Sequence, residues 1–246
     1  MSERKLPMAG SGNGHTPTQG GGADNAPVQV STSSARLITT LAVAGAVAGM
    51  AIVLVFGWAN PRIEAHRALV LAQAITEVLG GPARYETVYL QDGKLTLQPT
   101  DTTGLDRVYV GYDAADQPVG VAMASEEAGF QDIIRLIFGY DPGSGDLLGM
   151  KVLESKETPG LGDKIEKDSA FVGAFRDVGT PLLGVKSDRA SGAHSEVVMI
   201  TGATISSRAI INIINHRLEA IGDPVSTYWS SSLAAAPAAP GAGGGS

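Results

Sequence analysis

Apolar residues follow three patterns along this chain. From Leu37 to Asn60 they run almost unbroken, and no charged side chain stands between Arg36 and Arg62. About 24 residues at 1.5 Å each cross a hydrocarbon core of about 30 Å, which predicts a transmembrane helix over residues 36–60. A signal peptide or a buried soluble helix would share the hydropathy. A signal peptide, however, starts nearer the N-terminus and has a shorter apolar core, and a buried helix seldom runs so far without a polar face. Trp58 stands where an interfacial anchor belongs. Gly45 and Gly49 form a GxxxG pair among small residues, a pattern that lets helices approach in lipid and that also arises by chance in Ala/Gly-rich spans. Arg4, Lys5 and Arg36 before the run, against Arg62 and Arg67 after it, leave the positive-inside rule undecided.

The second pattern is helical. Pro61 suits a helix start and Gly80-Gly81-Pro82 a helix end. Between them Leu69, Ala72, Ile75, Val78 and Leu79 recur at three- and four-residue steps, predicting an amphipathic helix over 62–79. The third pattern is strand-like. Tyr85–Leu90 and Lys94–Gln98 flank an Asp92-Gly93 hairpin signal. Arg107–Tyr112, Val119–Ala124, Ile133–Tyr140 and Leu147–Glu154 follow, most of them separated by Gly, Pro or Asp turns. Helices are predicted over Lys167–Phe175 and Ser207–Ile221, with a strand at Glu196–Ile200 between them. Strands in series followed by helices predict an α+β domain with a largely antiparallel sheet and flanking helices. Residues 1–35 and the Ala/Pro/Gly tail 230–246 have no apolar period and are expected to be disordered.

Composition narrows the chemistry. The net charge is −7 and no basic stripe is visible, which argues against nucleic acid as a partner. There is no cysteine, so disulfides, Cys-ligated metals and thiol catalysis are excluded. His15, His66, His194 and His216 have no ligand spacing, and no metal site is expected. No Ser–His–Asp or paired-carboxylate arrangement is legible, and no catalytic residue is assigned. Redox chemistry in such a chain would have to come from an organic cofactor.

Two segments suggest where one could sit. Thr201-Gly202-Ala203-Thr204-Ile205-Ser206-Ser207 lies between a strand and a helix whose apolar face is Ile210, Ile213, Ile214 and Ile221, with Arg208, Asn212, Asn215 and Glu219 elsewhere. Small residues and hydroxyls opening a helix offer backbone N–H groups and the positive dipole end to a phosphate. Taken alone, the segment favours the plainer reading of a helix capped by Ser206 or Ser207. Glu157-Thr158-Pro159-Gly160-Leu161-Gly162-Asp163-Lys164 reads as a turn centred on Pro159 and Gly160. It could lay backbone groups and Leu161 against a flat ring, or be a plain surface turn.

Together the two segments resemble those of the FMN-binding G subunit of Rnf-type ion-translocating electron transport complexes. They are less close to the C subunit of the sodium-translocating NADH:quinone reductase. The stretch Val152–Glu166 is similar to the former in particular, and the resemblance covers residues 35–222. It implies a flavoprotein: residues 61–229 form an FMN-binding domain on the extracytoplasmic side of the cytoplasmic (inner) membrane. The chain would be a redox subunit without independent turnover. Its complex would couple electron transfer between ferredoxin and NAD to ion translocation, with other membrane and redox subunits as partners. In that family the last Thr of the S/T-G-A-T motif is esterified by the FMN phosphate, through a separate flavin transferase, and the matching residue is Thr204. Thr201, Gly202 and Ala203 complete the motif, with Ser206 and Ser207 behind it. Glu157, Thr158, Gly160, Leu161 and Gly162 match the loop against the isoalloxazine, and Glu157 and Lys164 are the charges that could tune it. One position departs. The family usually carries Asp six residues before the attachment Thr, where this chain has Val198. A flavin-bearing reductase module, which this domain also forms, and a non-redox membrane scaffold are the competing classes.

Overall fold

The computed structural model describes residues 34–235. The N-terminal extension to residue 33 and the tail from residue 236, both expected to be disordered, lie outside the described residues. Ser34 and Ala35 already belong to helix α1 (Ser34–Val78), and the chain divides into two units between Gly57 and Trp58. In the first unit Leu41, Val47, Ile52, Leu54 and Phe56 are each more than 60 % exposed. Water penalises such a surface and lipid does not. The helix is long and apolar enough to cross a membrane.

The break expected at Pro61 does not occur: Pro61 lies inside α1. Proline removes one N–H bond and crowds the preceding turn, at a cost of about 3 kcal/mol. Good helix formers after the proline (Arg62, Glu64, Ala65, Arg67, Ala68 and Leu69), and burial of Ala74, Ile75 and Val78 at the far end, offset a loss confined to one turn.

Strands β1 (Arg84–Gln91), β2 (Lys94–Thr96), β3 (Asp106–Tyr112), β4 (Pro118–Ala128), β5 (Ile133–Asp141), β6 (Asp146–Glu154) and β7 (Val178–Gly179) make one antiparallel sheet in the order β2-β1-β3-β4-β5-β6-β7. Its alternation serves two faces. Val108, Val110, Val121, Met123, Leu136 and Phe138 enter the larger core, under helix α4 (Thr204–Ala235). Tyr109, Ala122 and Ile137 enter a smaller one under the last turns of α1, with Ala74, Ile75, Val78 and Leu79. The helix end comes very close here: a Cβ on Gly139 would lie 2.2 Å from the Val78 carbonyl oxygen.

The predicted helix over Lys167–Phe175 is two short ones, α2 (Lys164–Lys167) and α3 (Ser169–Gly173). Asp168 separates them because its carboxylate caps α3, accepting from the Ala170 and Phe171 amides. Strands β8 (Leu183–Val185) and β9 (Glu196–Val198) form a separate parallel pair. Helix α4 begins three residues before the predicted start and runs on through Pro224 to Ala235, beyond both the predicted end at Ile221 and the start of the expected tail. Val225 and Trp229 explain the extension, since both are buried in the larger core. Asn215, expected to face away, clamps Leu182 instead: its Oδ1 accepts from the Leu182 N–H and its Nδ2 donates to the Leu182 carbonyl.

Candidate functional site

β6 delivers the chain into the 155–163 loop, and Glu157 ties that loop to two other segments. Its carboxylate is 5 % exposed. Oε1 accepts from the backbone N–H groups of Phe130 (2.9 Å) and Gln131 (3.0 Å), and Oε2 accepts from the Ser206 hydroxyl (2.6 Å). Two glycines make the enclosure possible. A Cβ on Gly129 would stand 2.4 Å from Oε1, and one on Gly162 2.7 Å from Oε2 and 2.8 Å from the Glu157 Cβ. Burial alone would raise the Glu157 pKa. The hydrogen bonds from Ser206 and from the Gln131, Phe130 and Asp132 backbone outweigh it and hold the carboxyl below its ordinary range.

Two turns present their residues to one cleft. In the first, Leu161 N–H bonds to the Thr158 carbonyl at 3.2 Å. Gly160 there has φ +79°, as the third residue of a Pro-Gly type II turn requires. In the second, Ala203 N–H bonds to the Ile200 carbonyl at 3.0 Å and Gly202 has φ +87°. Ser207 fixes this turn to the strand end, accepting from Ile200 N–H (3.1 Å) and donating to the Ala203 carbonyl (2.9 Å). Neither serine is therefore a helix cap: Ser206 serves Glu157, Ser207 serves the turn, and Thr204 already belongs to the first turn of α4. The first intrahelical bond at this end is donated by Ser207 N–H to Ala203. The N–H groups of Thr204, Ile205 and Ser206 precede it and stay available, as helix starts leave them.

The cleft holds about 290 Å³. Gly202, Ala203, Thr204 and Ser206 form one wall, and Thr158, Leu161 and Gly162 the facing one. Phe130 and Ile205, which neither motif assigns to a site from sequence, complete it. Thr201, Gly160, Lys164, Ser207 and Glu157 do not line it. Thr201 and Gly160 are exposed turn residues, Lys164 opens α2, and Ser207 and Glu157 act from behind the walls. Glu157, read from sequence as a charge tuning a ring, has both oxygens occupied by protein donors. Free helix-start N–H groups, a half-buried threonine hydroxyl and apolar sides give the cleft a donor set for a phosphate and a seat for a flat ring, so these residues fit FMN. A second cleft of about 300 Å³ involves His66, Arg67, Leu71, Arg135 and Glu154. Arg67 and Arg135 there both pair with Glu154, so its cations already face a carboxylate of the protein.

Residues 129–219, which contain this cleft, match the FMN-binding domain family. Over 179 residues the chain is 33 % identical to the G subunit of the ion-translocating oxidoreductase complex of Cronobacter sakazakii, covering 71 % of this chain and 84 % of that one. It is 28 % identical over 186 residues to the corresponding protein of Methanosarcina acetivorans, which bears the same name, covering 75 % and 92 %. Among solved structures, NqrC of Shewanella oneidensis shares the fold, with a TM-score of 0.53 at 14 % identity over 69 % of this chain and 99 % of that one. The apolar helix, the α+β domain and its cleft define a membrane-anchored flavin electron-transfer protein. The chain belongs to the G-subunit family of ion-translocating oxidoreductase complexes, which are redox enzyme complexes.

Proposed function

We propose that this chain carries one FMN esterified through its phosphate to Thr204 and relays electrons inside an Rnf-type complex that couples electron transfer between ferredoxin and NAD to ion translocation. The supporting observation is the placement of Thr204: its hydroxyl stands on the first turn of α4, in the cleft, beside N–H groups that have no other acceptor. A separate flavin transferase makes the ester from a flavin dinucleotide donor: the threonine oxygen gives up its proton and bonds to the flavin-side phosphorus, while the pyrophosphate bond breaks and the nucleoside monophosphate leaves. Thr204 is thus a point of attachment and no turnover passes through it. When bound, the flavin supplies the electron transfer. The chain supplies the rest: amides of Thr204, Ile205 and Ser206 for the phosphate oxygens, Thr158, Leu161 and Gly162 against the ring, and a tether that prevents loss. Val198 is 41 % exposed, and an aliphatic side chain stands there in the region a transferase reads.

Denaturing gels test the ester: the wild-type band should fluoresce as flavin, and Thr204→Val should remove the fluorescence while the chain still accumulates. Fluorescence retained in the variant would sink the assignment. The same reading puts the domain outside the cytoplasmic membrane, beside the other membrane and redox subunits. Protease added to intact spheroplasts should then cleave it, and protection would count against that side.

A further inference from the structure

The cleft has a third wall that neither motif contains. Between β4 and β5 the chain turns through residues 129–132, a loop closed by Gly129 N–H to the Asp132 carbonyl at 2.8 Å. Three side chains in succession from the 155–163 loop hold it. Lys156 Nζ pairs with Asp132 at 3.4 Å. Glu157 accepts from the Phe130 and Gln131 amides, and the Thr158 hydroxyl donates to Gln131 Oε1 at 2.8 Å. On this loop Phe130 lines the cleft with 63 % of its surface exposed. It is the only aromatic lining side chain among the described residues.

Leu161 and Ile205 line the same cleft and are also more than half exposed, so the phenyl belongs to an apolar patch, on a loop fixed from behind, that awaits an apolar partner. We infer that Phe130 is that partner's stacking wall: its ring packs on the isoalloxazine of the flavin tethered at Thr204. Aromatic rings favour offset-stacked or edge-on contact with one another, and the other large apolar side chains lining the cleft, Leu161 and Ile205, are aliphatic. Glu157 is the positioning residue, because its Oε1 holds the Phe130 amide while its Oε2 holds the helix that bears the tether. One carboxylate therefore sets the separation between ring wall and attachment point. This inference rests on the FMN reading, and the measurement below separates the two.

The probe is Phe130→Trp in the full-length flavinylated chain. An indole in contact with a flavin donates an electron to its excited state and recovers it afterwards, which quenches emission. Denatured samples of wild type and F130W should fluoresce equally, reporting equal covalent loading. Native F130W should emit several-fold less than native wild type and regain the wild-type level on unfolding. Native emission equal to wild type at equal loading overturns the stacking wall and leaves the Thr204 ester intact. Should wild-type chain show no covalent flavin, the ester reading fails separately. Free FMN titrated into wild type and F130W then decides, and the wall is overturned if F130W adds no quenching. Glu157→Gln, which keeps an acceptor for the Phe130 amide, should preserve the native quenching of F130W in the double variant, whereas Glu157→Leu should weaken it when native emission is compared per covalent flavin counted after denaturation. Equal quenching in both double variants would remove Glu157 from the positioning role.

Discussion

The two walls of the cleft are built by opposite means. The 155–163 loop is held by charge: Glu157 is buried against three donors, Lys156 reaches Asp132, and Lys167 reaches Asp163. The 200–204 turn is held without any charge, by one backbone bond, a left-handed glycine and the hydroxyl of Ser207. The charged wall commits its ionised side chains to protein partners, with Asp163 Oδ1 left over as a buried oxygen without one, whereas the neutral wall keeps three N–H groups and a threonine hydroxyl free. Ionised side chains are here a means of holding geometry, and the chemistry is left to groups with no formal charge.

That contrast can be broken most forcefully at Glu157. Replacing it with Leu leaves the Ser206 hydroxyl and two backbone amides without an acceptor, and each such group costs about 1–3 kcal/mol when buried. Chemical denaturation should show the largest loss of stability of any substitution here, and an unchanged midpoint would mean the charged wall holds nothing. Gly162→Ala comes next. Its methyl meets the Glu157 Cβ at 2.8 Å, a stem position that cannot swing aside, so a loss of about 1–3 kcal/mol is expected from overpacking. Ala at this site with wild-type stability would show that the enclosure is loose.

The charged wall also responds to acid, where the neutral one has no group to titrate. The Glu157 carboxyl titrates below its ordinary range, so its stabilisation is complete above the unfolded-state pKa of about 4.3. It is lost as pH falls through the lower folded value. Wild type should therefore exceed Glu157→Gln in stability at neutral pH, and the two should converge below about pH 4. A gap that stays constant to low pH would place the ionisation elsewhere. The smallest effect belongs to the neutral wall: Ser207→Ala removes one accepted and one donated hydrogen bond, but the Ala203 carbonyl keeps its bond from the Ser207 N–H, so a loss of about 1 kcal/mol is expected. A larger loss than Gly162→Ala would reverse the ranking of the two walls.

Sequence alone exposes the frame and conceals the joints. Strand positions are legible because side chains at Val108, Tyr109 and Val110 alternate between two buried faces, and the Asp92-Gly93 hairpin announces itself. Strands β7 and β8 are too short for any period, and their pairing is decided by segments far along the chain. The Pro61 break fails because helix ends depend on what the flanking turns bury, which a local signal does not contain. At the site, Thr204, Gly202, Thr158 and Leu161 are readable from their motifs and do meet in one cleft. Phe130 is not, since it lies outside both motifs. It comes into play through Glu157, 27 residues away, which also binds Ser206, 49 residues away. A surplus glycine at 129 before an aromatic is the available signal, and it becomes meaningful only once the enclosed carboxylate is seen.

The sheet's margins carry a consequence for life on a membrane. Anchored chains meet in two dimensions, where repeated edge-to-edge encounters between identical domains favour strand addition and aggregation. Here the outermost strands are β2, three residues long, and β7, two residues long. Such stubs offer an incoming strand a ladder of only two or three residues, so strand addition would have to use the stretches they leave without an outer partner strand, 84–88 of β1 and 148–154 of β6.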